Sequence, residues 1–137
     1  MKLGDLFGKK DVSTILQKSV PYKMTTSCFP YKLYANRKGS TMLTVSIENL
    51  TSEPLMSSIV IKLPSKLSFD QTGLSREKEI RLGDLKPREG KDARIDIFSD
   101  VGTERGDYTI DLMAIAHYRD YGHVINAIRK RIQVGVV

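Results

Sequence analysis

The chain has 137 residues, enough to bury one core, and its size argues for one domain. With 40% hydrophobic and 28% charged residues, its composition is that of a soluble globular protein, and no apolar run approaches the ~20 residues of a membrane-spanning helix. The net charge of +6 is concentrated: residues 1–40 carry eight Lys/Arg against two acids, whereas residues 41–137 are nearly neutral. Attraction to anionic lipid, nucleic acid or an acidic partner is therefore expected to act through the N-terminal arm.

The first ten residues, MKLGDLFGKK, lack the continuous apolar stretch and cleavage site of a secretory signal. The single cysteine, Cys28, has no internal disulfide partner and is expected as a small buried hydrophobe. Both features predict a cytoplasmic location. Leu3, Leu6 and Phe7 stand at i, i+3, i+4 spacing beside Lys9 and Lys10, which makes these five residues a candidate tether to a membrane surface or partner. Gly4 and Gly8 weaken a helix there, so a flexible terminus is the alternative. Asp11 opens DVSTILQKS, a candidate for one or two helical turns that Pro21 would end. Residues 1–21 thus form a basic arm, and residues 22–137 form the folded part.

From Tyr22 the chain reads as strands. Pro30 marks an edge or a break between two short ones. Residues 40–49 alternate Leu43, Val45 and Ile47 with Thr44, Ser46 and Glu48, a half-buried strand. Ile59, Ile61 and Leu63 share the face of the next strand, and SKLSFD reads as its extension into a QTG turn. A short strand over residues 78–82, the loop GDLKPREG and an alternating strand through Ala93, Ile95 and Ile97 follow.

The last segment, residues 106–137, is the most regular. Tyr108, Ile110, Leu112, Ala114, Ala116 and Tyr118 alternate with polar residues, and Asp120, Tyr121 and Gly122 suit a three-residue hairpin loop with Gly at positive φ. That loop sets Tyr118 opposite Val124, Ala114 opposite Ile128, Ile110 opposite Ile132, Tyr108 opposite Val134 and Asp111 opposite Arg131. Asn126 and Lys130 then fall on the inner face, which requires either a β-bulge or a place at the sheet margin. Seven or eight strands with turns about every ten residues predict an all-β fold, an antiparallel β-sandwich with a short helical or flexible N-terminal segment.

The order LTVSIENLTSEPL, IVIKLPSKLSF, IRLGDLKPREGK and GDYTIDLMAIAHY resembles the immunoglobulin-like domains of archaeal and bacterial proteins of the CARDB or NEW3 kind, over residues 41–137. In those domains a V-x-N strand leads to an L-P strand, an LG-x-L-x-PG turn and a G-x-Y strand. Arg88 stands here where Gly is usual. The resemblance implies a prokaryotic, non-catalytic sandwich, with Tyr108 at the position of a tyrosine corner.

The chemistry-bearing residues form no site. His117 and His123 flank the hairpin loop with Asp120 between them, but the register sets His123 beside Arg119 and supplies no third nitrogen or sulfur ligand, so both histidines are expected at the solvent edge and no metal is predicted. Cys28 has no neighbouring base, and no nucleophile elbow, P-loop or dinucleotide-binding glycine motif occurs, so neither enzyme nor cofactor is expected. Asn49-Leu50-Thr51 matches a glycosylation sequon yet reads as a strand-end Asn entering a turn. Arg129, Lys130 and Arg131 with Arg37, Lys38, Tyr31 and Tyr34 raise nucleic-acid binding as a second function, set against strand-edge protection by charge. On the hairpin's outer face Met113, Ile115, Ile125 and Ala127 form an apolar cluster that another protein, a second copy or residues 12–20 would cover. The sequence therefore predicts a protein-binding or scaffolding module.

Overall fold

The computed structural model describes residues 20–137. Among them the chain forms β1 (Tyr22–Phe29), β2 (Lys32–Leu33), β3 (Gly39–Asn49), β4 (Leu55–Lys62), β5 (Glu77–Leu85), β6 (Gly90–Ser99), β7 (Gly106–Tyr118) and β8 (Asp120–Val136). One sheet has the order β1-β3-β6 and the other β2-β8-β7-β4-β5. All pairings are antiparallel except that of β2 with β8.

Period-2 patterning builds the space between the sheets. Leu43, Val45 and Ile47 of β3 and Ala93, Ile95 and Ile97 of β6 face Ile59 and Ile61 of β4 and Ile110, Leu112, Ala114 and Ala116 of β7, all of them buried. Each large aliphatic side chain stabilises the fold by ~1.5–3 kcal/mol relative to exposure. The chain changes sheets at Pro30, which lacks the N–H needed to continue a ladder: β1 ends at Phe29, and three residues later, at Lys32, β2 begins beside Gly135.

The motif turns have physical causes. Gly83, at φ 75°, sits where the β4–β5 register shifts, and Leu85 is fully buried. Arg88, at the usual glycine position, adopts φ 67°, so the backbone keeps the left-handed conformation that glycine would take without strain. Its N–H donates to the Asn49 carbonyl at 2.8 Å. The Asn49 side chain is buried and donates to the carbonyls of Glu53 and Leu85 while accepting from the Thr51 N–H and hydroxyl. It is thus a structural tie closing the turn. The Tyr108 hydroxyl donates to the Glu104 carbonyl at 2.6 Å, the geometry of a tyrosine corner.

Some expectations change. The proposed helical turns, the tether residues Leu3, Leu6, Phe7, Lys9 and Lys10, and the segment 12–19 lie outside the described residues. The extension over residues 65–70 is no strand; it makes only the bridge of Ser68 to Phe98 in the opposite sheet. Cys28 is half-buried rather than buried, and burial raises its thiol pKa. No helix among the described residues is long and apolar enough to cross a membrane.

Candidate interaction surface at the β7–β8 hairpin

From Gly106↔Val136 to Ala116↔Asn126 the hairpin is continuous and has the register expected from sequence, including Ala114↔Ile128, Ile110↔Ile132, Tyr108↔Val134 and Asp111↔Arg131. Arg131 Nε donates to Asp111 Oδ1 at 2.8 Å in an exposed pair. Asn126 and Lys130 do face inward. Their tolerance comes from the margin, because among the described residues only β2 lies beside β8 on that side, and Lys130 extends its amine to 3.5 Å from the Met24 carbonyl of β1.

The tip departs from the expected loop. Tyr118 pairs with Asp120, His117 pairs with Val124, and the turn residue at positive φ is Arg119, at 71°. Tyr118 is therefore not opposite Val124. Residues 121–123 form the excess of a wide bulge, and the expected three-residue loop is absent. Gly122 serves close approach instead of handedness: its N–H donates to Asp120 Oδ1, and an added Cβ would stand 3.2 Å from that oxygen.

The bulge folds Tyr121 back across the sheet. Its hydroxyl accepts the Gly83 N–H at 2.9 Å, the Arg81 guanidinium lies over its ring at 4.6 Å, and its edge meets the His117 ring at 4.9 Å. His117 is thereby only 5% exposed, which corrects its expected place at the solvent edge. Its Nε2 lies 2.7 Å from Ser58 Oγ, whereas its buried Nδ1 has no hydrogen-bond partner. A serine and a histidine at this distance have the spacing of a nucleophile and its base. Ser58 is nevertheless fully buried, and no carboxylate orients the ring, so the pair acts as a polar tie inside the outer face. Sequence reading missed Ser58, which stands one strand away and is marked only by its place in an alternating segment.

His123 is separate from this pair. Its Nδ1 lies 2.8 Å from Asp120 Oδ1 in an exposed contact, and that bond, with the Gly122 N–H, lowers the Asp120 carboxyl pKa. Among the described residues no three His, Cys, Asp or Glu side chains form a metal-ligand group.

Of the predicted apolar cluster, Ile115 and Ala127 are direct partners, and Met113 lies opposite Arg129. Met113 and Ile115 are half-buried, while Ile125 and Ala127 are exposed. A hollow of about 130 Å³ beside them is lined by Val60, Lys62, Asp111, Met113, Arg129 and Arg131. The tip adds what sequence did not: Tyr118 and Val124 are 55% and 61% exposed, beside Ile125 at 57%. The basic and aromatic residues raised for nucleic acid do not all share a face. Arg129 and Arg131 point outward, Lys130 points inward, and the exposed rings of Tyr31 and Tyr34 lie beside Lys32 and Arg37.

No protein-family model and no curated protein matches the sequence. Solved structures do. Native α2-macroglobulin of Escherichia coli, from domain MG7 to the C-terminus, matches with TM-score 0.64 and 17% identity over 85% of this chain and 16% of that one. The FixG-related protein of Vibrio parahaemolyticus matches with TM-score 0.54 and 12% identity over 85% and 96%. A CARDB domain of Pyrococcus furiosus, solved in complex with di-metal ions, matches with TM-score 0.50 and 18% identity over 86% and 90%. The chain spans only 16% and 7% of the two α2-macroglobulin structures it matches. At such identities the likeness concerns the fold: the described residues are an immunoglobulin-like β-sandwich of the architecture found in that CARDB domain.

Proposed function

We propose that the domain is a non-catalytic binding module that presents the β7–β8 tip and the adjoining outer face to a protein partner. The exposed apolar tip carries this reading. Tyr118, Val124 and Ile125 project where β4 no longer supports the hairpin, since its last partner on β7 is His117. They continue into Ala127, Ile115 and Met113, and the Arg119 guanidinium lies 5.0 Å above the Tyr118 ring at the rim. An aromatic and β-branched cluster bordered by charge, mounted on a rigid hairpin, is the composition of a protein contact surface. The arm containing Leu3, Leu6, Phe7, Lys9 and Lys10 is proposed as an accessory anchor to an anionic surface, supported by the charge of residues 1–40.

A photoreactive benzoylphenylalanine at position 124, in the full chain expressed in its source cells, tests the main proposal. Discrete protein adducts are expected there and not from the same probe at position 94 in the other sheet. Absence of adducts at 124, or equal adducts at both positions, overturns it.

A further inference from the structure

Resting on the reading as a protein-binding module and narrowing it from a face to an edge, we propose that β8 accepts an extended acidic peptide as an added strand beside residues 127–133. The backbone supplies the first argument. The Val137 N–H donates to Leu33 O at 2.9 Å, and Val137 O accepts the Ala35 N–H at 2.8 Å, so the peptide groups of Val137 face the β2 side. Strand geometry repeats every two residues, and β8 keeps unbroken register with β7 from Asn126 to Val136. Gln133, Arg131, Arg129 and Ala127 therefore direct their N–H and C=O groups to that same side. Among the described residues β2 and the residues after it fill that side only at residues 135–137. Above that point no described strand lies alongside, and the Ala127 N–H bonds instead to Asn126 Oδ1 at 2.8 Å.

The side chains define the occupant. On the inner side Ile128 and Ile132 are half-buried against the core, and β1, across the gap, is also the outer strand of its sheet. An added strand would place alternate apolar side chains over these isoleucines, while its other side chains lie beside Arg129 and Arg131. Around these arginines the only ion pair among the described residues is that of Arg131 with Asp111. Strand addition draws affinity from main-chain bonds and specificity from alternate side chains. A cationic edge disfavours pairing with a second copy, which would bring the same arginines, and favours an acidic strand.

The test uses the full chain and a nine-residue capped peptide alternating glutamate and valine, with amide hydrogen exchange followed by NMR. The peptide is expected to slow exchange at Arg129, Arg131 and Gln133 saturably, by about tenfold or more, and its lysine–valine counterpart to bind about tenfold more weakly. Arg129→Glu with Arg131→Glu, which leaves the backbone intact, is expected to reverse the peptide preference. No slowing at millimolar peptide, or equal slowing by both peptides, overturns the proposal. So does slow exchange at these amides without peptide, whether concentration-dependent, as for a second copy, or not, as for cover by residues 1–19. The probe at position 124 reports on the tip and the edge amides on the strand, so each reading can fail alone.

Discussion

The β7–β8 hairpin has a base and a tip that obey different rules. Through the base, residues 106–116 against 126–136, one face is sealed against the opposite sheet, and a one-residue slip would turn every buried side chain outward. At the tip there is no core face to preserve, so the chain spends extra residues on a bulge and leaves Tyr118, Val124 and Ile125 in solvent. The base specifies structure and the tip offers surface. Two isoleucines separated by fifteen positions put numbers on the contrast. Ile110→Ala, in the base, is expected to destabilise the fold by ~2–5 kcal/mol, and Ile125→Ala, in the tip, by less than about 0.5 kcal/mol. Chemical denaturation of both variants checks this, and comparable losses would mean that the tip also carries the fold.

A smaller effect sharpens the boundary between the two regions. His117 lies where the register shifts, and the only hydrogen bond of its ring is to Ser58. Ser58→Ala leaves the buried imidazole with no partner and is expected to cost ~1–3 kcal/mol, the penalty of a buried polar group whose partner is removed. The double change Ser58→Ala with His117→Leu removes both partners and is expected to recover part of that loss. If the single variant is as stable as the parent, the pair does not hold the outer face, and Tyr121 alone closes it.

Legibility from sequence divides along the same line. The pairs from Tyr108↔Val134 to Ala114↔Ile128 follow from alternation alone, because burial on one face leaves a single acceptable register. The turn motif was legible as a pattern, and at Arg88 the backbone keeps the positive φ even though the glycine is gone. The tip was not legible. Gly122 suggests a residue of positive φ, but Arg119 has that conformation, while at Gly122 an added Cβ would crowd the Asp120 carboxylate. A glycine chosen for close approach and one chosen for handedness look alike in a sequence. His117 was misplaced for a related reason: its cover comes from Tyr121, whose return over the sheet exists only because of the bulge. The open side of β8 was hidden too, since which strand lies at a margin depends on where β2 joins, at Gly135 and Val136, the end of the hairpin far from its tip.

The subtlest way to separate tip from base is acid. Asp120 has its carboxyl pKa lowered from the ordinary 3.8, first by the bond from His123 and then by the Gly122 N–H. A depressed carboxyl contributes stability that is fully present above its unfolded pKa and lost as pH falls through its folded value. The contacts of the Asp120 carboxylate should therefore hold at neutral pH and release only below 3.8. The expected readout is a titration of the Gly122 amide proton with its midpoint below that value, as the N–H loses a charged acceptor. The base amides bonded between β7 and β8 should not move in the same step, because their partners are carbonyls. Asp120→Ala should abolish the step at Gly122 and leave the melting temperature at neutral pH nearly unchanged, since the carboxylate is exposed and its contacts are screened by water. A Gly122 amide that is flat across this range would show that the carboxylate does not hold the bulge. Base and tip titrating together would show that the two halves of the hairpin are one cooperative unit.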